Sequence, residues 1–400
     1  MVPPPVIILN LSYSGLGIAR DLAGRGIRLV GFSAVRKVYG NFTRFCEVRI
    51  APSSRDEPER LAEFLLRAAN ELQGAVIFPT CDLDIVFLDR FRSALEPCYR
   101  LSIPPRHCIQ QVINKHALVS AARQAGVAVP RTVLVRGPAE LQRVPEEIGF
   151  PSVLKPLSSF HWDDNTRQVL GERKALRVDC WEQLSGAYDW LAEIHPEILV
   201  QEWIPGKARE LVILGGYVGE NSEPLAFFTA RKIVQFPEDF GTGCLVESEG
   251  IPELLEPTQL LWRALAYQGM AEVEYKRDPR TREFKLIEIN ARHWDWHQLG
   301  TPSGVNLSWV AYRHLTRNLV TPTRPLMIRV KWIAEDTLLR SFYRRQISAQ
   351  ELSNALAGRR MYGIFAWTDP IPFICYSVTA IITIIKRYFG LSRGKRKPPE

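Results

Sequence analysis

The sequence predicts an α/β domain built on a parallel sheet, then a larger α+β domain of mostly antiparallel strands, then a basic extension. Strand-like apolar runs alternate with helical patterns over residues 1–110, as helices covering a parallel sheet require. Further on, strands multiply and the helices between them become few, which suits antiparallel sheets. The chain has 400 residues, 46% hydrophobic and 24% charged, which is more than one core usually takes and too apolar for a disordered chain.

Residues 6–9 read as the first strand, Ser12-Tyr13-Ser14-Gly15-Leu16-Gly17 as a glycine loop, 18–26 as a helix and 27–32 as the second strand. Backbone N–H groups at such a loop can hold an anion. Ser14 and Gly15 are therefore candidates for a substrate carboxylate, with a tight structural turn as the other reading. A dinucleotide fingerprint would need a third glycine and an acidic residue about twenty positions on, where Ser33-Ala34-Val35-Arg36 stand instead. Residues 46–50, 75–79 and 99–103 continue the strands, and 59–72 and 83–95 the helices. Asp82 follows a strand at the sheet end where crevices form, and could hold a substrate ammonium or cap the next helix.

After Pro104-Pro105, Asn114-Lys115 opens a helix over 114–124. Strands are expected at 132–135, 152–155, 198–202, 210–214, 225–233, 271–275 and 284–289, with helices at 179–194 and 258–268. In the last of these strands, alternation puts Glu288 and Asn290 on one face with Arg292 just beyond and Leu286 beside them, and turns Ile287 and Ile289 to the other. Carboxylate and amide oxygens on one face suit a hard cation such as Mg²⁺, which completes its octahedron with phosphates and water. Glu274 on a neighbouring strand could add a carboxylate. With Lys115, Lys155 and Lys232 to neutralise phosphate oxygens, this is the inventory of a nucleoside triphosphate site without a Walker loop.

The ordered motifs Ser14-Gly15-Leu16-Gly17, Phe78-Pro79-Thr80, Asn114-Lys115, Gly126-Val127-Ala128-Val129-Pro130 and Ile287-Glu288-Ile289-Asn290-Ala291-Arg292 resemble the ATP-grasp superfamily over about residues 5–320. The likeness is greatest to its carboxylate-amine ligase branch, near the D-aspartate ligases. It implies an α/β Rossmann-like (pre-ATP-grasp) domain over 1–110 and an α+β two-subdomain ATP-grasp domain over 111–320. The latter would divide into a nucleotide-binding part, about 130–203, and a metal and substrate part, about 204–320.

By the same resemblance, Lys115 and Lys155 would contact ATP phosphates, Glu202, Trp203 and Ile204 the adenine, and Glu210 the ribose. Lys232 would touch the transferred phosphate, Glu274, Glu288 and Asn290 would hold Mg²⁺ or Mn²⁺, and Arg292 would stabilise the γ-phosphate or an acyl-phosphate. The implied reaction joins a small-molecule carboxylate to an amine, and a homodimer is compatible with it. The alternative is a membrane-associated nucleotide-binding protein without catalysis. Two departures from the family pattern stand out. The loop after Lys155 runs Ser158-Ser159-Phe160-His161-Trp162-Asp163-Asp164-Asn165 where relatives are glycine- and serine-rich, and Ala291 replaces a common proline.

The segment Arg292-His293-Trp294-Asp295-Trp296-His297-Gln298 follows the metal strand, where an acceptor substrate should sit. His293 and His297 could bind substrate or take a proton from an amine, or the segment could be a packed corner. Gly304 could start a helix facing that pocket.

Residues 321–400 form an extension with 14 Lys and Arg against 5 Asp and Glu, so the formal charge of +8 belongs to the tail and no general nucleic-acid face is expected. Its apolar segment 370–385 is short for a span and is followed by Lys386, Arg387, Arg393, Lys395, Arg396 and Lys397. It reads as an interfacial anchor, a span or a helix packed on the globular part. Seven scattered cysteines without metal spacing, and a start without a charged and apolar leader pattern, point to reduced thiols in the cytoplasm, at the inner face of the membrane if the anchor holds.

Overall fold

The computed structural model describes residues 2–158, 173–195, 197–323, 325–326 and 328–388. Most of the loop after Lys155 and the basic residues beyond 388 lie outside them.

The first sheet is parallel, in the order β3-β2-β1-β4-β5. Its strands are β1 (Val6–Leu9), β2 (Leu29–Ser33), β3 (Glu47–Ile50), β4 (Val76–Phe78) and β5 (Arg100–Leu101). The helices α1 (Tyr13–Leu22), α2 (Pro58–Leu72), α3 (Asp82–Arg90) and α4 (Arg92–Leu95) connect them. Strand β1 is fully buried, as a strand between two parallel neighbours must be.

The expected glycine loop is instead the first turns of α1. Gly15 and Gly17 serve close packing: a Cβ on Gly15 would lie 1.9 Å from the Asn10 carbonyl oxygen, and one on Gly17 would lie 2.6 Å from the His297 ring. The glycines thus let the helix approach its neighbours, which local sequence alone cannot distinguish from turn chemistry.

Helices α5 (Arg106–Ile113) and α6 (Lys115–Gln124) lead into an antiparallel sheet ordered β6-β9-β7-β8. It contains β6 (Thr132–Val135), β7 (Ser152–Pro156), β8 (Leu176–Val178) and β9 (Ile198–Glu202), and is backed by α7 (Pro138–Glu147) and α8 (Trp181–Ile194) around a core of their own. Asn114 caps α6, its side chain accepting from the His116 and Ala117 N–H groups, so the expected start holds.

The third sheet has the order β14-β13-β10-β11-β12-β15-β16. Its strands are β10 (Leu211–Val218), β11 (Pro224–Phe236), β12 (Thr242–Ser248), β13 (Gly269–Arg277), β14 (Phe284–Asn290), β15 (Lys331–Ile333) and β16 (Arg360–Tyr362). Helices α9 (Leu255–Ala264), α10 (Leu307–Leu315), α11 (Glu335–Tyr343) and α12 (Ala349–Ala355) belong to the same part, and α13 (Ile371–Tyr388) follows. Part of the expected extension 321–400 therefore belongs to the large sheet, because β15 pairs with β12 and β16 with β15. Helix α10 begins at Leu307, capped by Asn306, and Gly304 precedes it at φ 81° as a left-handed turn residue.

The alternation expected in β14 also breaks. A register shift falls between the pairs Glu274–Glu288 and Tyr275–Leu286, leaving Ile287 as the extra residue. Leu286 consequently joins Ile289 in the core while Ile287 faces a cavity, and Glu288 and Asn290 keep the face expected of them.

Candidate functional site

A cavity of about 1120 Å³ opens between the four-stranded and seven-stranded sheets. Most of the expected site residues meet on its wall: Asp82, Lys115, Lys155, Glu202, Trp203, Ile204, Lys232, Glu274, Glu288, Asn290 and Arg292.

The chain brings them there from separate elements. Lys155 ends β7 and Lys115 begins α6, and the Lys115 N–H donates to the Leu157 carbonyl at 2.8 Å, tying the helix start to the strand end. The Lys155 ammonium donates to Gln201 Oε1 at 2.8 Å, and Gln201 in turn donates to Thr132 Oγ1 at 3.1 Å. Burial lowers the Lys155 amine to about 8, helped by the Lys115 charge, and burial lowers Lys115 as well.

Opposite these lysines, Glu274 on β13 pairs directly with Glu288 on β14, and Glu272 with Asn290. Like charges facing each other across adjacent strands destabilise a sheet unless cations intervene. Lys232, buried on β11, donates to Glu274 Oε2 in a short ion pair. Burial would push the Glu288 carboxyl up, but Lys174, Lys115, Lys232 and Lys155 together hold it down at about 2, so it is ionised. Asn290 Nδ2 donates to Glu272 Oε2 at 2.9 Å, while its Oδ1 accepts from Arg292 Nη2 at 3.3 Å. Arg292 Nε donates to Asp82 Oδ1 at 2.9 Å. Burial works against the Arg292 charge, but Asp82 and Glu272 keep it firmly protonated.

Asp82 is thus neither the cap of α3 nor a lone carboxylate. Cys81 is the N-cap residue, and Asp84 Oδ2 accepts from the Thr80 N–H at 2.9 Å and the Cys81 N–H at 3.2 Å.

These donors fit a hard cation. Glu274, Glu288 and Asn290 offer oxygens on one wall, although among the described residues no group of three or more His, Cys, Asp or Glu could by itself hold a metal ion. Mg²⁺ favours such an open arrangement, because it keeps waters and uses substrate phosphates as ligands.

Several expectations need correction. Glu202 reaches the wall, but both its oxygens are engaged: Oε2 accepts from the Arg131 N–H at 3.1 Å, Oε1 from Arg280 at 3.1 Å, and both from Lys285 at 3.3 Å. Its carboxylate ties the end of β9 to the β13–β14 turn, so it is not an open acceptor for a base. Glu210 lies beside the cavity, packed against Gly206, rather than on the wall. Ser14 donates to Asp295 at 3.1 Å, and Gly15 packs against Asn10, so neither is on the wall.

His293 and His297 are fully buried in the core behind the cavity. His293 Nε2 meets Ser308 Oγ at 3.2 Å, and His297 Nδ1 meets the Trp294 carbonyl at 2.7 Å. Burial lowers the pKa of both. Next to them, Asp21 accepts from Gln298 at 3.2 Å, Thr301 at 2.9 Å and Ser308 at 2.9 Å. The segment is a packed corner holding α1 to α10.

Sequence reasoning missed four wall or neighbouring residues. Glu272 is buried two positions before Glu274 on the same strand face, a period-2 signal already present in Glu272-Val273-Glu274. Burial raises its carboxyl to about 8, with Lys232 opposing. Lys276 continues that face, its amine lowered by burial to about 8, and stands 5.8 Å from the Trp203 ring. Lys174 acts on Glu288, and Gln201 orients Lys155; no local motif marks either.

No family model matches the chain. In sequence it is 26% identical over 211 residues to a D-aspartate ligase of Enterococcus faecium, covering 50% of this chain and 48% of that protein. The chain spans about half the length of the curated relatives it matches. In structure it is similar to biotin carboxylase from Campylobacter jejuni, crystallised with β,γ-ATP, at TM-score 0.63 and 17% identity, covering 80% of this chain and 72% of that one. It has the ATP-grasp fold. An L-amino acid ligase from Bacillus licheniformis shares the ATP-grasp architecture at TM-score 0.60 and 16% identity, covering 80% of this chain and 78% of the other.

Proposed function

We propose that this ATP-grasp protein is an ATP-dependent ligase that activates a small-molecule carboxylate and joins it to an amine. The observation that carries this reading is the meeting of Lys115, Lys155 and Lys232 with Glu274, Glu288, Asn290 and Arg292 around one cavity. The sequence relatives, among them D-aspartate ligase and D-alanine–D-alanine ligase, support it.

In this reading ATP lies between the two sheets with its base near Trp203 and Ile204 and its phosphates toward Lys115 and Lys155. Mg²⁺, or Mn²⁺ in its place, would be held by Glu274, Glu288 and Asn290 and would neutralise phosphate charge when bound. A carboxylate oxygen of the first substrate takes the γ-phosphoryl group, releasing ADP and leaving an acyl-phosphate. Lys155, Lys232 and Arg292 stabilise the charge spread over the phosphoryl oxygens. The amine then attacks the acyl carbon, inorganic phosphate leaves, the amine nitrogen gives up a proton, and an amide remains. No covalent nucleophile of the chain is needed.

The test is ADP release with Mg²⁺ across amino acids and other carboxylates, offered singly and in pairs, with Lys155→Ala as control. Pair-dependent release absent from the control supports the ligase. ATP binding without release under any pair rejects it in favour of a non-catalytic binder.

A further inference from the structure

Helix α13 is firmly rooted, yet one of its faces is uncovered. Its root is fastened to the N-terminal domain through Asp369, which is fully buried and accepts from Thr43 Oγ1 at 2.8 Å, the Arg44 N–H at 3.1 Å and Arg20 Nε at 3.2 Å. Tyr376 packs edge-on against Tyr39 at 6.0 Å, and Phe373 against Phe365 at 5.4 Å. That is the inner face.

The outer face is apolar and uncovered. Ile371, Ile374, Val378, Ile381, Ile382 and Ile385 are each about half exposed. At about 100° per residue they fall within an arc roughly 100° wide, a single stripe along a helix about 27 Å long. Trp367, 88% exposed, stands just before the helix. Among the described residues no helix is long and apolar enough to cross a membrane.

We propose that this face docks onto an anionic lipid bilayer, with α13 lying in the plane of the headgroups. A narrow apolar stripe with an aromatic residue at one end is the pattern of a helix that lies on a membrane rather than through it. Charge commits the occupant. From residue 370 onward the sequence carries Lys386, Arg387, Arg393, Lys395, Arg396 and Lys397 against a single acidic residue, Glu400. Anionic headgroups match that cluster, whereas a second copy of the chain packed on the same stripe brings no counter-charge. The inference does not depend on the ligase reading, because none of the residues of the apolar stripe lines the cavity.

The full chain should be sedimented with phosphatidylcholine vesicles containing or lacking phosphatidylglycerol. The expected result is at least about tenfold tighter binding to the anionic vesicles, weakened by salt. Ile374→Asp with Ile381→Asp, and separately Lys386→Glu with Arg387→Glu, should each cost about tenfold with the melting temperature unchanged. Three results overturn the proposal: no binding of the unaltered chain to either vesicle, equal binding by the isoleucine variant, or a dimer in light scattering that this variant converts to monomer.

Discussion

Two neighbouring stretches of the chain, Glu272 to Arg292 and His293 to Gln298, are both rich in buried polar groups, yet they do opposite things. The first faces the cavity and surrounds its carboxylates with cations: Glu288 is ionised by the lysines around it, and Glu274 is paired with Lys232. The second faces the core, where burial disfavours charge on both histidines and the remaining contacts serve packing. Arg292 and His293 are adjacent in sequence but lie on different sides of the same wall. Polar residues in a row are thus no guide to function until it is known which of them reach a space that a ligand could fill.

The sharpest way to break this contrast is Glu288→Gln. If the cavity strand carries the chemistry, pair-dependent ADP release should fall by about 10²-fold or more while far-UV circular dichroism stays unchanged. Normal turnover would remove Glu288 from the metal assignment and with it the distinction between the two stretches.

Lys232→Met should show that charge on the cavity side is balanced in pairs. It leaves the buried Glu274 carboxylate without its ammonium, at a cost of about 3–5 kcal/mol in chemical unfolding. The double variant Lys232→Met with Glu274→Gln should regain most of that stability but no activity. Equal instability of the single and double variants would argue against the pairing.

The packed corner predicts the reverse division. His297→Leu should lower stability by about 1–3 kcal/mol, because the Trp294 carbonyl loses its partner. Turnover per folded molecule should not change; a fall in kcat with stability intact would return this segment to the site.

The last effect concerns pH. Burial, with the Glu274 and Glu288 carboxylates, raises Glu272 to about 8, so the folded chain binds that proton more tightly than the unfolded one. Stability from this group therefore declines as pH climbs from the ordinary carboxyl range to about 8, and is constant above it. Melting curves of Glu272→Gln should diverge from the unaltered protein across that window, the variant gaining a few degrees by its upper end. A constant offset would mean that Glu272 is not held protonated by the fold.

Features that depend on a few consecutive residues were legible in advance. The helix start at Asn114-Lys115, the alternation of Glu288, Asn290 and Arg292, and the placement of Lys155 at a strand end follow from capping and from period-2 geometry. Features that depend on partners far along the chain were not. Glycines in α1 looked like a loop because the Asn10 carbonyl and the His297 ring that require them are invisible locally. Glu202 looked like a ligand for a base because Arg280 and Lys285, which occupy it, come from another strand pair.

Residue types and their order determined by themselves that this chain would build a parallel domain, then a strand-rich one, with an ordered set of lysines, carboxylates and an amide in the second. Short-range sterics and hydrogen bonding suffice for that, since each signal spans only a few residues. Only the tertiary structure decided which side of the wall each polar group faces, that a bulge at Ile287 exchanges it with Leu286, and that residues 331–362 complete the large sheet. Those outcomes depend on strand pairing and burial between segments distant in sequence, where the free energy of removing a group from water is settled by neighbours the local chain does not contain.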